Sequence, residues 1–261
     1  MERKEIQTRH GWAIFLIAFP ALVTAGVLGF LPRLAQWASY HQFADGRTLF
    51  GVPNFMDVVS NAWFVILGVW GGLEGRAASK REGTQWKPET LAYFAFFISL
   101  FVTGFGSGWY HLRPDNASLF WDRFPLSLAF VSLFAAVVHE RFQVRGGYAL
   151  LLALLTVAAA SVLYWSISES RGAGDLRPYF LVQFLPMVLI PILLFLPSRY
   201  DRVGDLGWVL FLYALAKGAE LLDRPIFEIT YQVSGHTLKH LFSALAVAQV
   251  AWMLRRRRLK R

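Results

Sequence analysis

The chain contains no cysteine. Disulfides and thiolate metal sites are therefore excluded, and any metal must be held by His, Asp, Glu or water. There is also no polar stretch long enough to fold as a soluble domain. The longest connection, Leu31 to Asn54, contains "FADGRTLFGVPN", whose Gly and Pro residues mark turns. No internal repeat is visible, and no low-complexity tract apart from the terminal "RRRRLKR". Charge is scarce as well. Asp, Glu, Lys and Arg make up 16% of the 261 residues, against 56% hydrophobic. Such a composition does not describe a soluble globular domain.

What the chain has instead is eight apolar runs: Trp12–Phe30, Phe55–Leu73, Leu91–Tyr110, Phe120–Val138, Tyr148–Ile167, Tyr179–Leu196, Leu206–Leu222 and Thr237–Leu254. Each is long enough to cross a hydrocarbon core of ~30 Å as a helix. The first is long for a signal-peptide core and is followed by no clear cleavage site, so it is read as a span. The seventh is interrupted near its end by Lys217 and Glu220. Pro186 and Pro191 in the sixth read as kinks accommodated by neighbouring helices. The expected fold is all-α and polytopic.

A net charge of +9 raises the question of nucleic acid. The basic residues sit at the ends of the apolar runs, however, so no nucleic-acid partner is expected and they read as topology signals. With the amino terminus inside, the cytoplasmic parts hold the amino-terminal Arg and Lys residues, Arg76, Lys80, Arg81 and Lys87, then Arg141, Arg145, Arg199, Arg202 and the basic tail. The outer loops are poorer in Lys and Arg. An even number of spans puts both basic termini on the cytoplasmic side. The tail, residues 255–261, reads as an anchor that also touches anionic lipid.

Ionisable residues at span ends mark candidate sites. Asp57, Ser60 and Asn61 begin the second run. Ser107 and His111 end the third, Asp122 begins the fourth, Glu220 and Asp223 end the seventh, and His236 and His240 begin the eighth. All of these ends share the outer side. His10 and His139 lie on the other side and read as solvated, and His41 falls in the outer loop. Three neutral imidazoles plus water are a common catalytic zinc arrangement, and histidines at i and i+4 can share an ion from one helix face. The bland alternative is interfacial polar residues. In "GSGWYHLRPDNASLFWD", Ser107 lies one helical turn before His111, and Asp122 follows across a turn. A Ser-His-Asp triad is therefore a competing reading, but it leaves His236 and His240 without a role. Lys217 and Glu220 read as an ion pair within one helix.

At these residues the chain resembles the alkaline ceramidase family, within the wider superfamily of the adiponectin receptors and haemolysin-III-like proteins. The pieces that carry the resemblance are "DVVSN" (57–61), "GSGWYH" (106–111), Asp122, "LLD" (221–223) and "HTLKH" (236–240). The resemblance implies a seven-helix core over residues 55–254, preceded by an added transmembrane helix and outer loop over 1–54. It implies zinc held by His111, His236 and His240, Ser107 supporting the reacting carbonyl, and Asp122 moving the proton of the attacking water. Asn61, Glu220 and Asp223 would support the site or the substrate. The implied activity is a zinc-dependent hydrolysis of ceramide or another N-acyl lipid, in a bacterial inner membrane with the site on the outer side. Ceramidases of eukaryotes also hold calcium. The counterpart region here offers only Asp45, Asn54 and Asp57 with Arg47 among them, few oxygens for a cation that takes six or more. A zinc-binding receptor or a transporter without hydrolysis is the alternative. The sequence sets no oligomeric state.

Overall fold

The structure is a computed structural model that describes residues 2–83, 86–142 and 146–260, without the side chains of residues 2–10 and 13. The side chains of Arg3, Lys4, Arg9 and His10, and the whole of Arg145 and Arg261, lie outside the described residues. The helices are α1 (Glu2–Phe30), α2 (Phe55–Ser60), α3 (Ala62–Arg81), α4 (Pro88–Leu112), α5 (Asn116–Phe142), α6 (Gly147–Ser170), α7 (Arg177–Leu194), α8 (Gly204–Leu221), α9 (Asp223–Thr230) and α10 (Gly235–Arg256). One 3-10 turn, Ala38–His41, lies in the long loop.

Among the described residues, six segments are long and apolar enough to cross a membrane: Phe55–Arg81, Pro88–Leu112, Asn116–Phe142, Gly147–Ser170, Arg177–Leu194 and Gly235–Arg256. The first of these joins α2 and α3 through Asn61, whose backbone stays helical. The apolar part of α1 is the shorter Ile14–Phe30. Helix α8 has 18 residues and carries Asp205, Lys217 and Glu220. The eight apolar runs of the sequence fall on these eight helices, and the protein is an all-α polytopic membrane protein.

Local sequence explains where the helices start. Pro88 occupies the first turn of α4, where its missing N–H is not needed. Ahead of α5, the Ser118 amide donates to the Asp115 carboxylate at 2.6 Å, and the Asp115 amide donates back to the Ser118 hydroxyl at 3.1 Å. That amide holds the Asp115 carboxyl below the usual carboxylate range. Ser234 caps α10, its hydroxyl accepting from the Thr237 amide at 3.0 Å.

Helix α4 packs between α3 and α5, α10 lies on α3 and α8, α6 and α7 pack on α5, and α1 rests against α7. In lipid the hydrophobic effect does not drive helices together, so close packing has to. Small side chains allow it: Ala92, Ala135, Ala136 and Ala251 are wholly enclosed alongside Phe97 and Val250. Two glycines set the end of the bundle that matters most here. A Cβ on Gly106 would overlap the Trp121 carbonyl, so only glycine lets α4 meet the start of α5 this closely. A Cβ on Gly235 would overlap the Ala219 carbonyl and the Asp223 backbone, so α10 starts directly against the end of α8.

The opposite end corrects two expectations. His139 is buried, not solvated. The basic tail is not only a loose anchor: Arg257 is buried, paired with Glu140, 3.6 Å from Glu82, and stacked on the Tyr200 ring at 3.9 Å. The Lys260 amide donates to the Arg199 carbonyl at 2.8 Å, fixing the tail beside the α7–α8 connection. Glu89, Glu140 and Arg141 are buried there too, so costly groups gather at both ends of the bundle.

Candidate metal centre and its cavity

The close approach of α4, α5 and α10 brings three histidines together. His111 arrives on the last turn of α4, and His236 and His240 lie one turn apart on α10. All three are buried. The His111 and His236 ring centroids are 4.9 Å apart, and His240 stands 5.0 Å from each. One nitrogen from each ring lies within 4.8 Å of the others, so this is a group able to hold a metal ion. Among the described residues it is the one such cluster of His, Asp or Glu.

The surroundings orient the rings. The Ser60 hydroxyl donates to the Asp57 carbonyl at 3.1 Å and stands 2.7 Å from His240 Nδ1. A hydroxyl that already donates accepts from Nδ1–H, which leaves the Nε2 lone pair of His240 free for a metal. Nδ1 of His111 is buried without a hydrogen-bond partner. The donors are neutral imidazoles without a carboxylate among them, which suits a borderline metal such as zinc better than calcium or magnesium. His236 is the exception to this openness. Its Nε2 lies 2.8 Å from Lys239 Nζ, which also reaches Glu220 Oε1 at 3.2 Å. A metal taken through that nitrogen requires Lys239 to turn fully onto Glu220.

Phe43, from the long loop, covers the cluster. Its ring centroid lies 4.6 Å from His111 and 4.9 Å from His236. The loop is tied down by His41, which bonds Tyr110 Oη and Asn116 Oδ1, each at 3.0 Å. It is tied again by Asp223, whose carboxylate accepts from the Ala44 amide at 3.0 Å and the His236 amide at 2.8 Å. Asp223 therefore holds backbone rather than an imidazole.

Ser107 and Asp122 meet across the Gly106 contact, the hydroxyl against the carboxyl. Together with His240 they line one end of a cavity of about 700 Å³. Its remaining walls are mostly apolar, among them Leu100, Leu126, Phe130, Phe180 and Val247. A cavity of about 780 Å³ between α1, α5, α6 and α7 holds none of these groups, and its lining is almost wholly apolar. Ser107, Asp122 and His240 line the smaller one, and His111 and His236 stand behind His240, away from its wall.

The remaining sequence candidates are engaged elsewhere. Asn61 donates to the Asp57 carbonyl at 2.7 Å. Glu220 pairs with Lys217, as its spacing predicts, and with Lys239. Asp45 forms a two-point salt bridge with Arg47, Asn54 donates to the His111 carbonyl at 2.8 Å, and Asp57 accepts from the Thr237 hydroxyl at 2.6 Å. Asp45 is committed to Arg47, whereas Asp57 Oδ2 is buried without a partner; with Arg47 among them, the three offer few free oxygens to a cation that takes six or more. Sequence reasoning missed the supporting role of Ser60, the cover provided by Phe43 and the contact of Lys239 with the cluster. The first had a signal, because Ser60 stands in the quoted "DVVSN". The other two depend on packing that no spacing reveals.

Fold and site together define a class: a polytopic helical membrane protein with a buried three-histidine cluster, able to hold a metal ion, at the end of an apolar cavity. No family model, no curated protein and no solved structure matches this chain.

Proposed function

We propose that this protein is a zinc-dependent intramembrane hydrolase that cleaves a lipid amide to a fatty acid and an amine, in the manner of a ceramidase. The observation that supports this most is that His240, a member of the buried His111–His236–His240 cluster, lines the same largely apolar cavity as Ser107 and Asp122. A metal receptor needs the histidines alone. A transporter needs charged residues along a path. A hydrolase needs a proton carrier and an oxyanion donor beside the metal, together with room for an acyl chain.

Zinc, when bound by the three histidines, supplies a Lewis acid that polarises a carbonyl and makes water more acidic. Asp122 takes a proton from the attacking water and returns it to the amine nitrogen as the C–N bond breaks. Ser107 donates a hydrogen bond to the carbonyl oxygen as negative charge develops there. Phe43 keeps bulk water off the His111–His236 side. The acyl chain lies against Leu100, Leu126 and Phe130. Water adds across the amide, giving one carboxylic acid and one amine. This reading places both termini in the cytoplasm of a bacterial inner membrane and the cavity's polar end on the outer side. A reporter fused after Arg261 that is active only outside would overturn that orientation.

Assay of N-acyl lipid cleavage by purified protein in detergent tests the chemistry. Asp122→Asn keeps the side-chain size but cannot take the proton, so it should retain zinc and lose ~10²–10⁴-fold in turnover. Ser107→Ala should lose ~10²–10³-fold, the range for removal of one oxyanion donor. An acyl adduct on Ser107, seen by mass spectrometry during turnover, would replace this mechanism with a serine nucleophile. Unchanged turnover in Asp122→Asn would remove Asp122 from the reaction.

A further inference from the structure

Three cations line the cavity that meets the histidine cluster: Arg123, Lys217 and Lys239. Lys217 and Lys239 share Glu220. Arg123 has no carboxylate within salt-bridge distance among the described residues, although it is only 3% exposed. Its Nε and Nη1 are buried without hydrogen-bond partners. The guanidinium is held instead by aromatic rings, 4.5 Å from the centroid of Trp165, 4.9 Å from Tyr179 and 5.2 Å from Tyr40. Cation–π contacts fix the position of the charge, but they leave in-plane N–H groups unsatisfied. A buried, unpaired guanidinium is unfavourable in a protein interior unless something supplies the missing acceptors.

Arg123 and Asp122 both line this cavity, so the charge opens onto the same space as the group assigned to proton transfer. A planar guanidinium matches a carboxylate in two parallel hydrogen bonds better than it matches a hydroxyl. Three aromatic rings fix it in place, which lowers the entropy lost when it binds.

We infer that Arg123 is an anion subsite and that the amine half of the substrate carries a carboxylate, which makes the preferred substrate an N-acyl amino acid rather than an N-acyl amino alcohol. This inference rests on the amide-hydrolase reading above and narrows its substrate class. The acyl chain enters the apolar part of the cavity, the amide meets Ser107 and Asp122, and the carboxylate beyond the nitrogen pairs with Arg123. Recognition there selects the anionic lipid because a neutral head leaves the buried guanidinium unpaired.

The test compares palmitoylglycine with palmitoylethanolamide, which share the acyl chain and the amide and differ in the head. Full-length protein in detergent should show the higher kcat/KM on palmitoylglycine. Arg123→Gln should reduce the ratio of the two kcat/KM values by ~10–100-fold, as loss of a charge-assisted hydrogen bond implies. Arg123→Lys should restore part of the preference, which a variant that merely disturbs the fold would not do. Equilibrium binding of palmitoylglycine, read by tryptophan fluorescence, separates the two claims. Arg123-dependent binding without cleavage supports the subsite and sinks the hydrolase. Cleavage that favours palmitoylethanolamide, or an unchanged ratio in Arg123→Gln, overturns the subsite and leaves the hydrolase standing.

Discussion

At one end of the helix bundle, three imidazoles lie buried about one ring apart with no carboxylate bonded to any of them. At the other end, Glu82, Glu89 and Glu140 meet Arg257, Tyr93 and Tyr200. Tyr93 Oη donates to Glu140 at 2.9 Å and Tyr200 Oη donates to Glu82 at 2.9 Å. Both clusters are buried, and both sit where helix ends converge. The charged cluster pairs opposite charges from within the protein, with Glu140 between Arg257 and Arg141, although Nε and Nη2 of Arg257 and Nη2 of Arg141 have no hydrogen-bond partner. The neutral cluster has a ring nitrogen without a partner and a lysine where a cation would stand. Burial of polar groups thus has two outcomes here. A set of opposite charges neutralises itself and locks helix ends together, whereas three imidazoles with no anion bonded to them offer lone pairs to a ligand.

The largest expected effect tests this division directly. Replacing both His236 and His240 with Ala removes two of three donors from one helix face. Purified protein should carry about one zinc per chain, as three-histidine sites do, and the double variant should carry almost none and show no hydrolysis. Metal analysis by mass spectrometry settles the matter. Full zinc retention in the double variant would mean that the cluster is a structural knot like the one at the other end.

The reverse experiment is made at the tail end. Arg257→Met takes from buried Glu140 the nearer of its two cations and leaves Arg141 at 3.3 Å, so the loss should lie at or below the ~3–5 kcal/mol of a buried pair broken outright. The variant should unfold at lower denaturant concentration while its zinc content per folded chain stays the same. Adding Glu140→Gln removes the stranded charge and should recover part of the loss. A change in zinc content with unchanged stability would erase the contrast between the two ends.

Much of this was legible in the sequence. Every apolar run is helical, the second as α2 followed by α3, and six of the eight fall on segments long and apolar enough to cross a bilayer among the described residues. The histidine cluster was legible because His236 and His240 share a helix face by spacing and because Ser107, His111 and Asp122 lie near one turn. The charged end was not legible. His139, Glu140 and Arg141 are contiguous at the end of α5 and look like any solvated helix terminus; contacts from distant elements bury them, Glu140 with Tyr93 and Arg257, Arg141 with the Leu193 carbonyl, and His139 beside Pro88 and Gly147. Arg123 was hidden for the same reason, since its cage draws rings from α6, α7 and the long loop. Pattern within a helix is visible in sequence, whereas a contact that only the packing of separate helices creates is not.

The smallest effect sharpens the comparison most, because it probes a single hydrogen bond. Among the described residues, Ser60 is the one hydroxyl bonded to a ring of the cluster, 2.7 Å from His240 Nδ1. Its own proton goes to the Asp57 carbonyl, so the bond fixes which nitrogen of His240 carries hydrogen and which can face a metal. Ser60→Ala removes that control without removing a donor. Zinc affinity, measured by competition with a chelator of known strength, should fall ~10–100-fold, the range for loss of a partner behind a ligating histidine. Ser60→Thr keeps the hydroxyl and should stay close to the parent protein. A histidine that belongs to a closed structural network would lose stability in Ser60→Ala and show no change in zinc affinity. Unaltered affinity with a lowered unfolding midpoint would therefore place His240 with the structural groups and leave the metal with too few ligands.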